Sequence, residues 1–259
     1  MERAAASAVA RVQRSPAVQR VARYLRDDII NGAGYRWDLM FLHSVRSVAD
    51  WRAFAEQHAA PARKAPSWLY NLVCAYLCAG FGGTTFRDLA MAQPPGLFRN
   101  KELPQTWLLA FALVYYSPLD IVYRLANTPR SLSSLVLNVF EAIDVATTVT
   151  GSVDKAQSLF PESTSAPLIV AALGALGGSF WRYLERKLGR GWSDEETQLA
   201  RPGEGLRRTL LYAAAYLHLS KTKGSSEARL YVTVFHIVWS LLKELTGRDL
   251  DFTRYVDIF

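Results

Sequence analysis

Cysteine and histidine are scarce in this 259-residue chain, with two of the first and four of the second. Cys74 and Cys78 stand one helical turn apart in an apolar run, with no histidine or carboxylate pair beside them. Neither a disulfide framework nor a zinc site is expected from them, and both read as packing residues. His43, His58, His218 and His236 are dispersed. No Ser-His-Asp order, phosphate-cradling glycine loop or metal-ligand spacing accompanies them, so an enzyme has no residue to stand on and no metal or cofactor is expected. RNP-like, zinc-finger and GXXG nucleic-acid signatures are missing as well. Strand-type alternation is poor, because alanine and leucine dominate the apolar runs. Long hydrophobic runs are few, and the mean hydropathy of +0.03 with 20% charged residues is near that of a soluble protein. No secretory leader is visible.

What is present is a recurrence of uncharged stretches. A membrane span needs roughly 20 predominantly apolar residues. Leu103 to Leu119 and Ser163 to Trp181 come near that unaided. Trp68 to Phe81, Ser131 to Phe140, Thr209 to Ser220 and Leu230 to Leu242 reach it by taking in charges at their ends. Such charges are tolerated where the side chains snorkel or face a polar interior. Trp37 to Ala55 is the most charged, with Asp38, Arg46, Asp50 and Arg52. Proline and glycine breakers at Pro61, Pro94-Pro95-Gly96, Pro129, Pro161 and Pro202-Gly203 separate these stretches. The pattern predicts seven helices, at about 37–57, 67–92, 104–125, 131–150, 165–188, 205–220 and 227–246.

A repeat runs through them. Residues 81–89 (Phe-Gly-Gly-Thr-Thr-Phe-Arg-Asp-Leu) align with 176–184 (Leu-Gly-Gly-Ser-Phe-Trp-Arg-Tyr-Leu). Thr106, Leu108, Ala110, Ala112 and Ser117 align in the same order with Thr209, Leu211, Ala213, Ala215 and Ser220. Two three-helix units with an odd number of spans each would lie inverted across a bilayer, with a seventh helix added. The hallmark of that plan is a pair of interrupted helices at matching positions. Gly82-Gly83 and Gly177-Gly178, followed by Ser179, are the expected kinks. They read either as elements of a polar path or as small residues that let helices pack closely.

Several stretches then resemble the trimeric intracellular cation channel (TRIC, TMEM38) family. They are Ala79-Gly-Phe-Gly-Gly83, Ala92-Gln-Pro-Pro95, Tyr116-Ser-Pro-Leu-Asp-Ile-Val-Tyr123 and Gly174 to Ser179, with weaker likeness through Trp192–Glu195 and beyond. The resemblance covers roughly residues 37–246. It leaves a basic N-terminal segment over 1–36 and a C-terminal tail over 247–259. It implies an all-α membrane protein of seven transmembrane helices, as two inverted three-helix repeats plus one. It further implies a homotrimer in membrane lipid that conducts potassium in preference to other ions, with no nucleic-acid partner. The membrane implied is of endoplasmic or sarcoplasmic reticulum type or nuclear, and the current would balance charge during calcium release. The basic residues that open the family's fourth helix and bind phosphoinositide are replaced here by Phe140 and Asp144, while Glu141 is kept. That replacement counts against family-type phosphoinositide binding, and it leaves a non-conducting scaffold or lipid-binding protein as the alternative function.

Charges inside spans are functional candidates by default. Arg87 and Arg182 are the symmetric pair, each four residues past the second glycine. Asp88, Asp120, Glu141 and Asp144 are the acids at hand, with Glu141 and Asp144 on one helix face. Each reads as a pore or gating charge or as half of a structural ion pair. The first 26 residues carry six arginines and one acid, Glu2. They read as an organelle transit peptide, a basic amphipathic helix on an anionic membrane, or an unstructured arm.

Overall fold

The computed structural model describes residues 15–23, 37–58, 67–190, 203–248 and 250–255. The chain divides into two units, Met1–Arg36 and Trp37–Phe259. In the first, α1 (Pro16–Arg23) places Arg20 and Arg23 in its last turn. The rest of the basic arm, the breakers Pro61 and Pro202 and the Trp192–Glu195 likeness lie outside the described residues.

The second unit contains helices and no strands among its described residues. α2 (Trp37–Gln57) is followed by α3 (Trp68–Cys74), whose first turn is capped by the Ser67 hydroxyl accepting from the Tyr70 amide. A π-helical segment, Ala75–Gly80, leads into α4 (Gly82–Ala90) and the short α5 (Gly96–Arg99). α6 (Leu103–Tyr116) carries Pro104 in its first turn, where a missing N–H costs nothing. α7 (Ile121–Asn127), α8 (Leu132–Leu159), α9 (Ala166–Glu185), α10 (Glu204–Lys223) and α11 (Ser225–Thr246) complete the unit. Gly224, at φ +88°, makes the abrupt turn between the last two.

Two departures from the sequence-based expectation stand out. The third predicted helix, 104–125, is two helices. Pro118 follows Ser117, and Leu119 and Asp120 both take positive φ, which bends the chain by 93° between α6 and α7. Proline lacks the amide that would continue the ladder, and the Ser117 hydroxyl accepts instead from the Val122 amide at 3.2 Å. The fourth predicted helix, 131–150, runs on to Leu159. Leu132–Leu159 and Ala166–Leu188 are long and apolar enough to cross a membrane, and the bent pair α6–α7 makes a third if it counts as one span.

Two apolar clusters form the core. One gathers Met40, Val48, Trp51, Phe81, Trp107 and Val114 from α2, the first broken helix and α6. The other gathers Val149, Val153, Tyr212, Tyr216 and Val232 from α8, α10 and α11. α4 and α9 share the most extensive helix–helix contact and join the two halves. Beyond α11, Phe252 packs edge-on against Trp239, with ring centroids 4.7 Å apart.

Candidate functional site: the crossing of α4 and α9

The glycines meet where α4 crosses α9. The π segment ends at Phe81, whose amide donates to the Tyr76 carbonyl at 2.7 Å and whose φ of −101° and ψ of 11° leave the helix. A methyl group on Gly82 would overlap the Leu77 carbonyl and would lie 2.7 Å from Trp181. A methyl on Gly83 would overlap the Gly174 carbonyl. One on Gly177 would lie 2.7 Å from the Gly82 carbonyl and 2.8 Å from Gly83 Cα. The contacts of Gly83 and Gly177 are backbone-to-backbone approaches that a side chain would prevent.

The expected symmetry of two breaks is therefore half right. The first helix is interrupted at Phe81, immediately before Gly82. The second is not: α9 runs as one α-helix from Ala166 to Glu185, straight through Gly177 and Gly178. Packing of Gly177 against α4 favours the helical backbone there by more than the propensity loss of about 1 kcal/mol per glycine disfavours it. Gly178 has only the Cys78 carbonyl nearby, 3.9 Å from where a methyl would sit. Ser179 donates its hydroxyl back to the Leu176 carbonyl at 2.8 Å, a bond within its own helix.

Carbonyls on either side of the break at Phe81 accept hydrogen bonds from side chains of the second helix. Trp181 Nε1 donates to the Gly82 carbonyl at 3.2 Å and Arg182 Nε to the Cys78 carbonyl at 2.8 Å. The Arg182 guanidinium also lies 5.4 Å over the Phe54 ring. Arg182 is thus a capping group for the broken helix. The neighbouring Trp181, aligned with Phe86 in the repeat, is visible in the sequence only as a shared aromatic.

Two charge clusters flank the crossing. On one side His43 of α2 is buried between the acids of α8. Its Nδ1 lies 2.8 Å from Glu141 Oε2 and 3.5 Å from Asp144 Oδ2, and its ring stands edge-on to Phe81. The Asp144 side chain is 9% exposed, and its Oδ1 has no hydrogen-bond partner among the described residues. Glu141 is more open, at 35%. On the other side Asp88, 1% exposed, receives three cations. Arg87 donates to Oδ1 at 2.9 Å and Lys155 of α8 at 3.0 Å, while Arg99 of α5 bonds Oδ2. Arg87 also donates to the Ser152 hydroxyl at 2.7 Å.

Asp120 belongs to neither cluster. It is paired with Arg52 at 3.0 Å at the bend between α6 and α7, and Arg52 lies 4.2 Å over the Tyr123 ring. Of the six charges singled out in the sequence, Glu141 and Asp144 share one locus and Arg87 and Asp88 another; Arg182 and Asp120 stand apart. Sequence reasoning misses His43, Lys155 and Arg99, which sit at no diagnostic spacing from their partners. Among the described residues no group of His, Cys, Asp and Glu is arranged to hold a metal ion. Outside the spans, Asp251 is buried, which disfavours its charge. Bonds from Thr253 and from Arg207, the latter at 2.6 Å, nevertheless hold its carboxyl below the ordinary range.

Long apolar helices with ionisable side chains packed between them define a helical integral membrane protein. The TRIC channel profile matches residues 58–246, and the chain belongs to the TRIC channel family, whose members are channels and not enzymes. No curated protein matches the sequence. The fold is similar to the trimeric intracellular cation channel from C. elegans without Ca2+, at TM-score 0.65 and 18% identity, covering 87% of this chain and 99% of that one. A trimeric intracellular cation channel from C. elegans with bound Ca2+ gives 0.64 and 17%, covering 89% and 99%. A structure described as the basis for activity of TRIC counter-ion channels in calcium release gives 0.67 and 17%, covering 81% and 93%.

Proposed function

We propose that this protein is a monovalent cation channel that prefers potassium and carries counter-ion current during calcium release across a reticulum-type or nuclear membrane. It works as a homotrimer with one path in each protomer. Its spans form two inverted three-helix repeats, α2 to α6–α7 and α8 to α10, with α11 as the seventh. The observation that carries this reading is the crossing itself. A helix break lined by Gly82 and Gly83 lies against Gly177, beside the carboxylates of Glu141 and Asp144. Two acids between packed helices concentrate cations and disfavour anions. Arg182, Arg87, Asp88 and Asp120 take supporting roles. Both oxygens of Asp88 and of Asp120 are bonded to cations, Arg87 is one of those cations and Arg182 bonds a backbone carbonyl, whereas Asp144 keeps an oxygen without a partner among the described residues. One observation favours a second reading, a non-conducting scaffold: Trp181 and Arg182 bond the carbonyls of Gly82 and Cys78 on either side of the break.

Potassium flux from tight liposomes containing the folded protein separates the two. The channel reading predicts flux that falls when Glu141→Gln and Asp144→Asn are combined. Absence of flux at every imposed voltage would support the scaffold.

A further inference from the structure

The cluster on Asp88 sets three cations against one carboxylate, a surplus of two positive charges at one point of the molecule. Arg99 is the outermost, 44% exposed, with Lys155 at 23%. Two of the elements that hold this cluster, α4 and α5, also wall an apolar cavity. Leu89 of α4 and Leu97 and Phe98 of α5 line it, together with Val73 of α3 and Trp107 and Leu108 of α6. The cavity has a volume of about 510 Å³, and almost nothing polar reaches it. Pockets of this size suit a ligand with a sizeable apolar body. Phe98 is 78% exposed beside it.

We propose that this is a binding site for an anionic phospholipid, with the phosphate against Arg99 and Lys155 and an acyl chain in the cavity. Charge complementarity commits the site to that occupant, and Arg99 directly follows Phe98 of the cavity wall in α5. Guanidinium groups match phosphate oxygens in a fork geometry, and basic pockets between membrane helices take lipid headgroups. Asp88 does not oppose the ligand, because Arg87 and Lys155 both neutralise its Oδ1. The site is separate from the His43 cluster at Glu141. Lys155 lies fourteen residues beyond Glu141, about 21 Å along the helix.

Native mass spectrometry tests this on the intact protein extracted from vesicles of mixed phosphatidylglycerol and phosphatidylcholine. The expected result is retention of phosphatidylglycerol over phosphatidylcholine by roughly tenfold. That preference falls to parity in Arg99→Gln/Lys155→Gln and survives in Arg99→Lys. Equal retention of the two lipids by the unmodified protein would overturn the proposal without any variant. Displacement of the lipid by inorganic phosphate would also overturn it, by showing a site for a free oxyanion. So would a disulfide between protomers carrying Leu108→Cys, which would show the cavity covered by a second copy of the chain.

Discussion

Gly83 of α4 lies directly against the Gly174 carbonyl of α9, so close that a methyl group on Gly83 would overlap that oxygen. Gly83→Ala must therefore push the two helices apart. Overpacking of this kind costs about 1–3 kcal/mol. Gly178→Ala meets nothing closer than the Cys78 carbonyl at 3.9 Å, and it gains up to about 1 kcal/mol of helix propensity. Thermal unfolding in detergent should show a lowered midpoint for the first variant and an unchanged or raised one for the second. Equal effects would refute the asymmetry between the two glycine pairs.

Arg182 and Trp181 close the carbonyls of the broken helix, so their removal should loosen that break selectively. Arg182→Leu deletes a charged hydrogen bond to a backbone oxygen, a loss of about 1.5–3 kcal/mol, and Trp181→Phe deletes a neutral one, about 1 kcal/mol. Hydrogen exchange of the amides over 75–83 is the readout. Protection should fall there before it falls in α8.

The His43 cluster makes a separate prediction. His43→Leu leaves Glu141 and Asp144 facing each other without their shared partner. Breaking a buried pair costs about 3–5 kcal/mol, and the partial exposure of Glu141 favours the lower end. Adding Glu141→Gln and Asp144→Asn to His43→Leu should recover most of that stability. A triple variant no more stable than the single one would show that His43 contributes by packing alone.

The C-terminal segment gives a pH dependence. The Asp251 carboxyl is held below its ordinary range by Thr253 and Arg207. A group whose folded value is depressed contributes stability that is present above its unfolded value, near 3.9 for an aspartate, and that is lost as pH falls through the folded value. Docking of Phe252 on Trp239 should weaken in acid below that point, and Asp251→Asn should remove the dependence. Tryptophan fluorescence across an acid titration reads both.

Much of the helical order is legible in the sequence, because apolar runs between proline and glycine breakers leave few other arrangements. The stretch from Ala79 to Gly83 is legible as a motif, but what its glycines do to local geometry is not. Gly82-Gly83 and Gly177-Gly178 look alike as dipeptides, yet only the first stands at a helix interruption, which falls on Phe81. The difference lies in the π segment that precedes Gly82, a feature of tertiary packing that no spacing encodes. The bend at Pro118 is marked by its proline, but its size depends on the positive φ of Leu119 and Asp120. At the candidate site, Glu141 and Asp144 are visible as a pair on one helix face. His43 is not, because it lies 98 residues from Glu141 in sequence.

The most direct test of the central claim is a planar bilayer recording of the purified protein under a potassium chloride gradient. A cation channel predicts a current that reverses near the potassium equilibrium potential, shifts when sodium replaces potassium on one side, and shrinks in Glu141→Gln/Asp144→Asn. A folded protein in a tight bilayer that passes no current, or one whose current reverses near the chloride potential, would contradict it.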